Sequence, residues 1–119
     1  MSENRWIAVM LDGTLAELKG DAIDFNEIGK PVPAMVKRVN MALMEGNQVY
    51  ILTPRVGAGL ADDERQRNII YDWCEAHLHQ QVPAVNSIDR NCVSIWGHAV
   101  LQIEKNTGKP LVHKRGWDG

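Results

Sequence analysis

WIAVMLDGT, residues 6–14, is the stretch of the sequence that decides the fold. Trp6 to Met10 is a continuous apolar run that stops at Asp12 and Gly13, which is typical of a strand buried on both faces in a parallel sheet. The polar residues after it fall at the carboxyl end of that strand, where open α/β sheets bind ligands. The stretch therefore predicts both a first parallel strand and the position of a site.

The segments after this strand predict a flap and a helix. Residues 15–31 mix polar and apolar side chains with two glycines and a proline, and they indicate a long loop. Pro33 then opens a helix, because proline is tolerated in a first helical turn. Apolar residues follow at 3.6-residue spacing until Gly46, which predicts the end of the helix.

Further strands and one more helix alternate along the rest of the chain. A second buried strand is predicted at 49–52, and a helix of about 17 residues is expected to begin with Asp62 as its N-cap. Two more strands are predicted at 93–96 and 100–103, with an edge strand at 111–112. This order predicts one α/β domain with a mostly parallel, right-handed sheet over the 119 residues.

Composition and charge exclude several classes of protein. The formal charge of -2 gives no general attraction for nucleic acid or an anionic membrane. No apolar run approaches the roughly 20 residues of a membrane helix, and the N-terminal segment lacks the apolar region of a signal peptide. We therefore expect a cytoplasmic protein that binds neither nucleic acid nor a membrane.

The cysteines and tryptophans have interpretations of their own. Cys74 and Cys92 lie far apart without a CxxC spacing, which favours two free thiols in a reducing compartment. Three tryptophans are expected in the core: Trp6, Trp73 and Trp96. Trp117 has no evident place in the core, so it is interpreted either as a contact residue or as part of a frayed terminus.

The stretch IAVMLDGTLAE, residues 7–17, resembles the first motif of the haloacid dehalogenase (HAD) superfamily, an apolar strand followed by DxDGT. In that family the first Asp attacks phosphorus and the second is the general acid and base. A Thr or Ser and a Lys bind the phosphoryl oxygens, while a later acidic pair holds Mg²⁺. These groups act together, because a carboxylate attacks a phosphoryl dianion only when cations screen its charge.

Most of the chain resembles the small HAD-like proteins common in bacteriophage genomes. The matching stretches are IGKPVPAMVKRV (28–39), the T-x-R that ends the second strand, Trp73-Cys74, and WxxxxxQI followed by NTG (96–108). The resemblance implies a HAD-like Rossmannoid three-layer sandwich, with a mostly parallel sheet and a minimal cap that is only the flap.

The catalytic positions of the family are only partly kept. The second Asp is retained as Asp12 and the phosphate-binding Thr as Thr53. The positions of the nucleophile, the Lys and the metal-binding acids are degenerate, and they fall on Met10, Ile88, Gly97 and His98. The resemblance therefore implies that the nucleophile, the cationic clamp and the metal acids are lost.

The retained polar residues have two interpretations. The candidates for a phosphate site are Asp12, Gly13, Thr14, Thr53 and Arg55. Alternatively, Asp12 and Thr53 are structural and Arg55 is a solvated surface residue. His98 is interpreted either as a plain loop histidine or as a new metal ligand or base.

These observations favour a catalytically inactive HAD-like pseudoenzyme that acts by binding and needs no cofactor. Its partner would be a host or phage protein that it inhibits or adapts, or a phosphorylated small molecule, and the resemblance implies a phage-encoded protein in the host cytosol. One alternative is a Mg²⁺-dependent phosphatase or nucleotidase that uses Asp12 in an atypical site. The other is a structural homodimer, with a face made from the flap and the C-terminal tail.

Overall fold

The computed structural model describes residues 4–111 of the chain. Its elements, in chain order, are β1 (Trp6–Met10), α1 (Pro33–Met44), β2 (Gln48–Leu52), α2 (Asp63–Leu78), β3 (Ala84–Val85) and β4 (Cys92–Trp96). The four strands form one sheet in the order β3-β2-β1-β4, and every neighbouring pair is parallel. The predicted α/β fold with a parallel sheet is therefore confirmed, while the HAD-like identity of that fold stays a prediction.

The ends of the helices follow the local sequence signals. Pro33 occupies the first turn of α1, and Glu45 caps its C-terminal end next to Gly46, whose φ is 90°. Asp62 is the N-cap residue of α2, although its carboxylate bonds to the side chains of Arg65 and Gln66 instead of the backbone. Neither helix in the described part of the chain has the length and apolar character that crossing a bilayer requires.

The predicted and the observed strands disagree at three places. The strand predicted at 100–103 is wrong, because this segment makes only an isolated antiparallel bridge between Ile103 and Pro110. In the predicted edge strand, Leu111 donates its N–H to the carbonyl of Gln102, and residue 112 lies outside the described residues. The two-residue β3 was not predicted, because it is too short to show a periodic pattern.

Both helices pack on one face of the sheet. The connections from β1 to β2 and from β2 to β3 run in the same direction across the sheet, so right-handed crossovers put α1 and α2 on the same side. Ile7 and Val9 of β1 form one buried cluster with residues of both helices, including Val39 and Ile70. Residues 4–111 therefore contain two layers, and the implied third helical layer is not among them.

The connection from β3 to β4 explains the missing layer. Residues 86–91 must cross three strand spacings, about 14 Å, and also return along the length of the sheet. Six residues reach this far only when nearly extended, at about 3.3 Å each, so they leave no length for a helix. On the face of the sheet opposite the helices, the ring centroids of Trp6 and Tyr50 lie 4.8 Å apart. Trp6 Nε1 donates to Asp89 of the connection at 3.0 Å. That bond, with one from the Asn91 N–H, holds the pKa of Asp89 below its usual value.

The two cysteines are free but differ in burial. Cys74 is fully buried in the core, and desolvation raises the pKa of its thiol to about 11, whereas Cys92 is half-buried at the start of β4. Because the thiolate is the reactive form, we expect Ellman's reagent at pH 8 to modify Cys92 quickly and Cys74 only after denaturation. The variant Cys92→Ser should leave the native protein unreactive, and rapid labelling of that variant would contradict the assigned burial.

Two of the expected core tryptophans are buried. Trp6 and Trp73 are less than a tenth exposed, while Trp96 is half-buried and packs against the edge of the core. Trp117 lies outside the described residues. The same holds for the tail of the predicted homodimer face beyond Leu111, so only the flap part of that face is described.

Candidate functional site

The carboxyl ends of β1 and β4 meet at the point where the direction of the sheet reverses. From β1 the chain proceeds to β2 and β3 on one side, and it then returns to β4 on the other side of β1. Open α/β sheets place ligands in the crevice at this switch point. Gly13 and Thr14 follow β1 there, and Gly97 and His98 follow β4, so the structure brings together residues that the sequence singled out.

Asp12 is held by Arg55 in a two-pronged ion pair. Arg55 Nε donates to Asp12 Oδ2 at 2.9 Å, and Nη2 donates to Oδ1 at 2.8 Å. The two side chains are 1% and 5% exposed, so water does not screen the pair. Both carboxylate oxygens of Asp12 are therefore already hydrogen-bonded to the guanidinium that the sequence proposed as a phosphate ligand.

The remaining donors of Arg55 connect it to two further parts of the domain. Nη1 donates to Gln66 Oε1 at 3.2 Å, and Nη2 also donates to the carbonyl of Glu27 at 3.0 Å. The guanidinium carbon lies 5.7 Å from the centre of the Phe25 ring, within cation–π range. The interpretation of Arg55 as a solvated residue is wrong, because its donors are engaged inside the protein.

The flap is closed over this pair by side-chain donors from the domain. Besides Arg55, Gln66 Nε2 donates to the carbonyl of Phe25 at 2.7 Å, and Trp73 Nε1 donates to the carbonyl of Gly29 at 3.0 Å. The three carbonyls that accept these bonds belong to residues 25, 27 and 29. They alternate as in a β-strand, but their donors are side chains and not the backbone of a neighbouring strand. A cavity of about 570 Å³, lined by both acidic and basic residues, remains between the flap and the ion pair.

Met10 and Gly97 pack directly against each other. A Cβ built on Gly97 would overlap the Sδ of Met10 and lie 2.7 Å from its Cγ, which is closer than real Cβ contacts. The thioether thus occupies the space that any side chain at position 97 would need. Two positions that the resemblance assigned to catalytic acids are filled by one apolar contact.

Thr14 and His98 join the ends of β1 and β4. The backbone N–H of His98 donates to Thr14 Oγ1 at 2.8 Å, and the same oxygen lies 3.0 Å from His98 Nδ1. The imidazole covers Gly13, since a Cβ built there would lie 2.8 Å from Nε2. Gly13 also has a φ of 92°, so this position needs glycine for two reasons. His98 is more than a plain loop histidine, because it fixes the loop after β1.

Thr53 and Ile88 complete the positions named from the sequence. Thr53 is 2% exposed, and its hydroxyl accepts the backbone N–H of Arg55 at 3.2 Å, as in the structural interpretation of a capped strand end. Ile88 is half exposed on the connection between β3 and β4. Within residues 4–111, no three His, Cys, Asp or Glu side chains cluster so as to hold a metal ion.

A groove of about 520 Å³ opens at the switch point between α1 and β4. Four of its lining residues, Gly13, Thr14, Gly97 and His98, are positions that the sequence singled out, whereas the other three, Met35, Arg38 and Trp96, were not predicted as site residues. Met35 and Arg38 lie three residues apart and so on one face of α1, which is the signal that identifies them. The groove combines an apolar lining with one guanidinium.

No protein-family model, curated protein or solved structure matches the chain.

Proposed function

We propose that the chain is a HAD-like protein that acts by binding and catalyses no phosphoryl transfer. The observation that carries this proposal is the bidentate pair between Asp12 and Arg55. A general acid or base must reach the atom to which it transfers a proton. Both oxygens of Asp12 point at Arg55 under the closed flap instead, so the one retained catalytic acid acts as a structural anchor.

The packing of Met10 against Gly97 supports the same proposal. In the family that the chain resembles, the nucleophile and the Mg²⁺ site both use carboxylate oxygens at these positions. Met10 instead carries a thioether, and Gly97 has only a hydrogen in place of a side chain. The imidazole of His98 is already hydrogen-bonded to Thr14. The groove between α1 and β4 leaves a surface for binding beside these residues. The resemblance to phage proteins suggests that the partner is a host protein met in the cytoplasm.

Hydrolysis assays test the absence of catalysis. We expect p-nitrophenyl phosphate and a panel of nucleotides, with Mg²⁺ present, to be hydrolysed at the same background rate by the native chain and by Asp12→Asn. Hydrolysis by the native chain that disappears in Asp12→Asn, while circular dichroism shows that the variant is folded, would instead establish the alternative, a phosphatase with an atypical site.

Restoring two acids tests the assignment of the positions. In Met10→Asp/Gly97→Asp we expect Mg²⁺ to raise the melting temperature, because a cation that binds only the folded state stabilises it. The matched control Met10→Asn/Gly97→Asn has the same shape without the charges and should show no response. If the acidic pair also ignores millimolar Mg²⁺, positions 10 and 97 do not correspond to the metal site of the family.

A further inference from the structure

An apolar groove made of two adjoining cavities runs along the open side of α1. The cavity at the switch point and a neighbouring one of about 470 Å³ share Arg38 and Trp96. The apolar residues that line the two are Ile7, Ala34, Met35, Met41, Ala42 and Trp96. From Ala34 to Glu45 the groove follows α1 for about 17 Å, the length of three helical turns.

The groove exists because the helical layer ends before the sheet does. On the helical face β1 and β2 lie beneath packed residues of α1, while Trp96 at the end of β4 stays half-buried. Met41 is 51% exposed, although it is an apolar residue next to the core. A flexible Met side chain beside an aromatic ring is typical of surfaces that adapt to a partner.

The rim of the groove is basic. Lys37 and Arg38 are the charged residues of α1, both are exposed, and within residues 4–111 neither forms an ion pair. They stand in a chain of net charge -2. Glu45, at the far end of the groove, is the acidic residue of the lining. An occupant with acidic groups beside its apolar surface would therefore meet complementary charge.

We infer that this groove docks an acidic amphipathic helix of a partner protein. The inference rests on the proposed function, in which the chain acts by binding. A helix fits because its apolar stripe at positions i, i+3, i+4 and i+7 matches a long apolar groove, and flanking Glu or Asp would face Lys37 and Arg38. A second copy matches the groove less well, since its own groove lining offers the single acid Glu45 against two cations.

The test uses the full ¹⁵N-labelled chain and two synthetic 18-residue helical peptides. Both carry Leu at the stripe positions, and their flanks carry Glu in one peptide and Lys in the other. We expect the Glu peptide to bind at least tenfold more tightly and to shift the amides of residues 34–45 and 94–98. Added salt should weaken its binding, because exposed charges are screened.

Charge variants make the test specific. Lys37→Glu/Arg38→Glu should reverse the preference between the two peptides, and Lys37→Gln/Arg38→Gln should abolish it. The matched control Lys105→Glu/Lys109→Glu reverses two exposed lysines of the 101–111 segment and should leave the preference unchanged.

Four results would overturn the inference. They are equal binding of both peptides, binding of neither at millimolar concentration, shifts of the groove amides with inorganic phosphate alone, and concentration-dependent dimerisation by light scattering that shifts the same amides. The first two exclude an acidic helix, and the others identify a small anion or a second copy as the occupant. None of these four results depends on the hydrolysis rates. A failure of the proposed function would therefore be detected separately, by the hydrolysis assays.

Discussion

Arg55→Ala is expected to lower the free energy of unfolding by about 3–5 kcal/mol, the range found when one partner of a buried ion pair is removed. The substitution leaves the Asp12 carboxylate buried without its cation, because both of its oxygens bond to Arg55. It also removes the donor to the Glu27 carbonyl and the cation above Phe25, so the flap loses part of its attachment. Urea unfolding followed by circular dichroism measures the change.

Arg65→Ala is the matched control for this prediction. Arg65 also pairs with an aspartate, Asp62, but the two side chains are 51% and 42% exposed. Exposed pairs of this kind contribute at most about 1 kcal/mol. If Arg55→Ala costs no more than Arg65→Ala, the pair with Asp12 does not anchor the domain.

A double variant that removes both charges separates the effect of the ion pair from the effect of the other contacts of Arg55. In Asp12→Leu/Arg55→Met the carboxylate no longer lacks a partner, so we expect the double variant to be more stable than Arg55→Ala. Replacing a buried pair by apolar side chains of similar volume is often neutral. A double variant no more stable than Arg55→Ala would mean that the unpaired Asp12 carboxylate costs little, and that Arg55 acts mainly through Gln66 and the flap carbonyl.

The regular elements other than β3 could be predicted because each of them has a local signal. The apolar run at Trp6–Met10 gave the bounds of β1, and Pro33 and Asp62 marked the starts of the two helices. The segment at 100–103 has the same apolar character but joins none of the four strands and makes only the bridge from Ile103 to Pro110, so Val100 and Ile103 stay 44% exposed. A strand needs a partner, and the pattern of one segment does not contain it.

The core of the site could not be predicted because its contacts are distant in sequence. Arg55 follows a strand as a single charged residue, and nothing nearby indicates that it is 1% exposed. Its acidic partner lies 43 residues earlier, and its flap partner lies 28 residues earlier. The resemblance identified positions 10 and 97 as related by chemistry, but their direct packing depends on the register of β1 and β4.

The packing of Met10 against Gly97 leaves no room for a side chain at position 97. Gly97→Ala should lower the free energy of unfolding by about 1–3 kcal/mol, since the new methyl group overlaps Met10 Sδ and the half-buried Met10 side chain must give up its place against β4. Gly97 does not have a positive φ, so alanine suits its backbone and the effect is steric. Chemical denaturation of Gly97→Ala, of Met10→Ala and of the double variant measures it.

The double variant decides whether the two positions act as one unit. In the Met10→Ala background the space beside position 97 is open, so Gly97→Ala should then change the stability little, and the two effects should couple by about 0.5–3 kcal/mol. Gly46→Ala is the control: its φ is 90° and nothing lies within 4 Å of its Cβ position. Its effect is backbone strain of about 1 kcal/mol, which Met10→Ala cannot relieve.

With strong coupling, an acid could return to position 97 only together with a smaller residue at position 10. The two degenerate positions would then be one packing arrangement, and no single substitution would restore a metal site to this sheet edge.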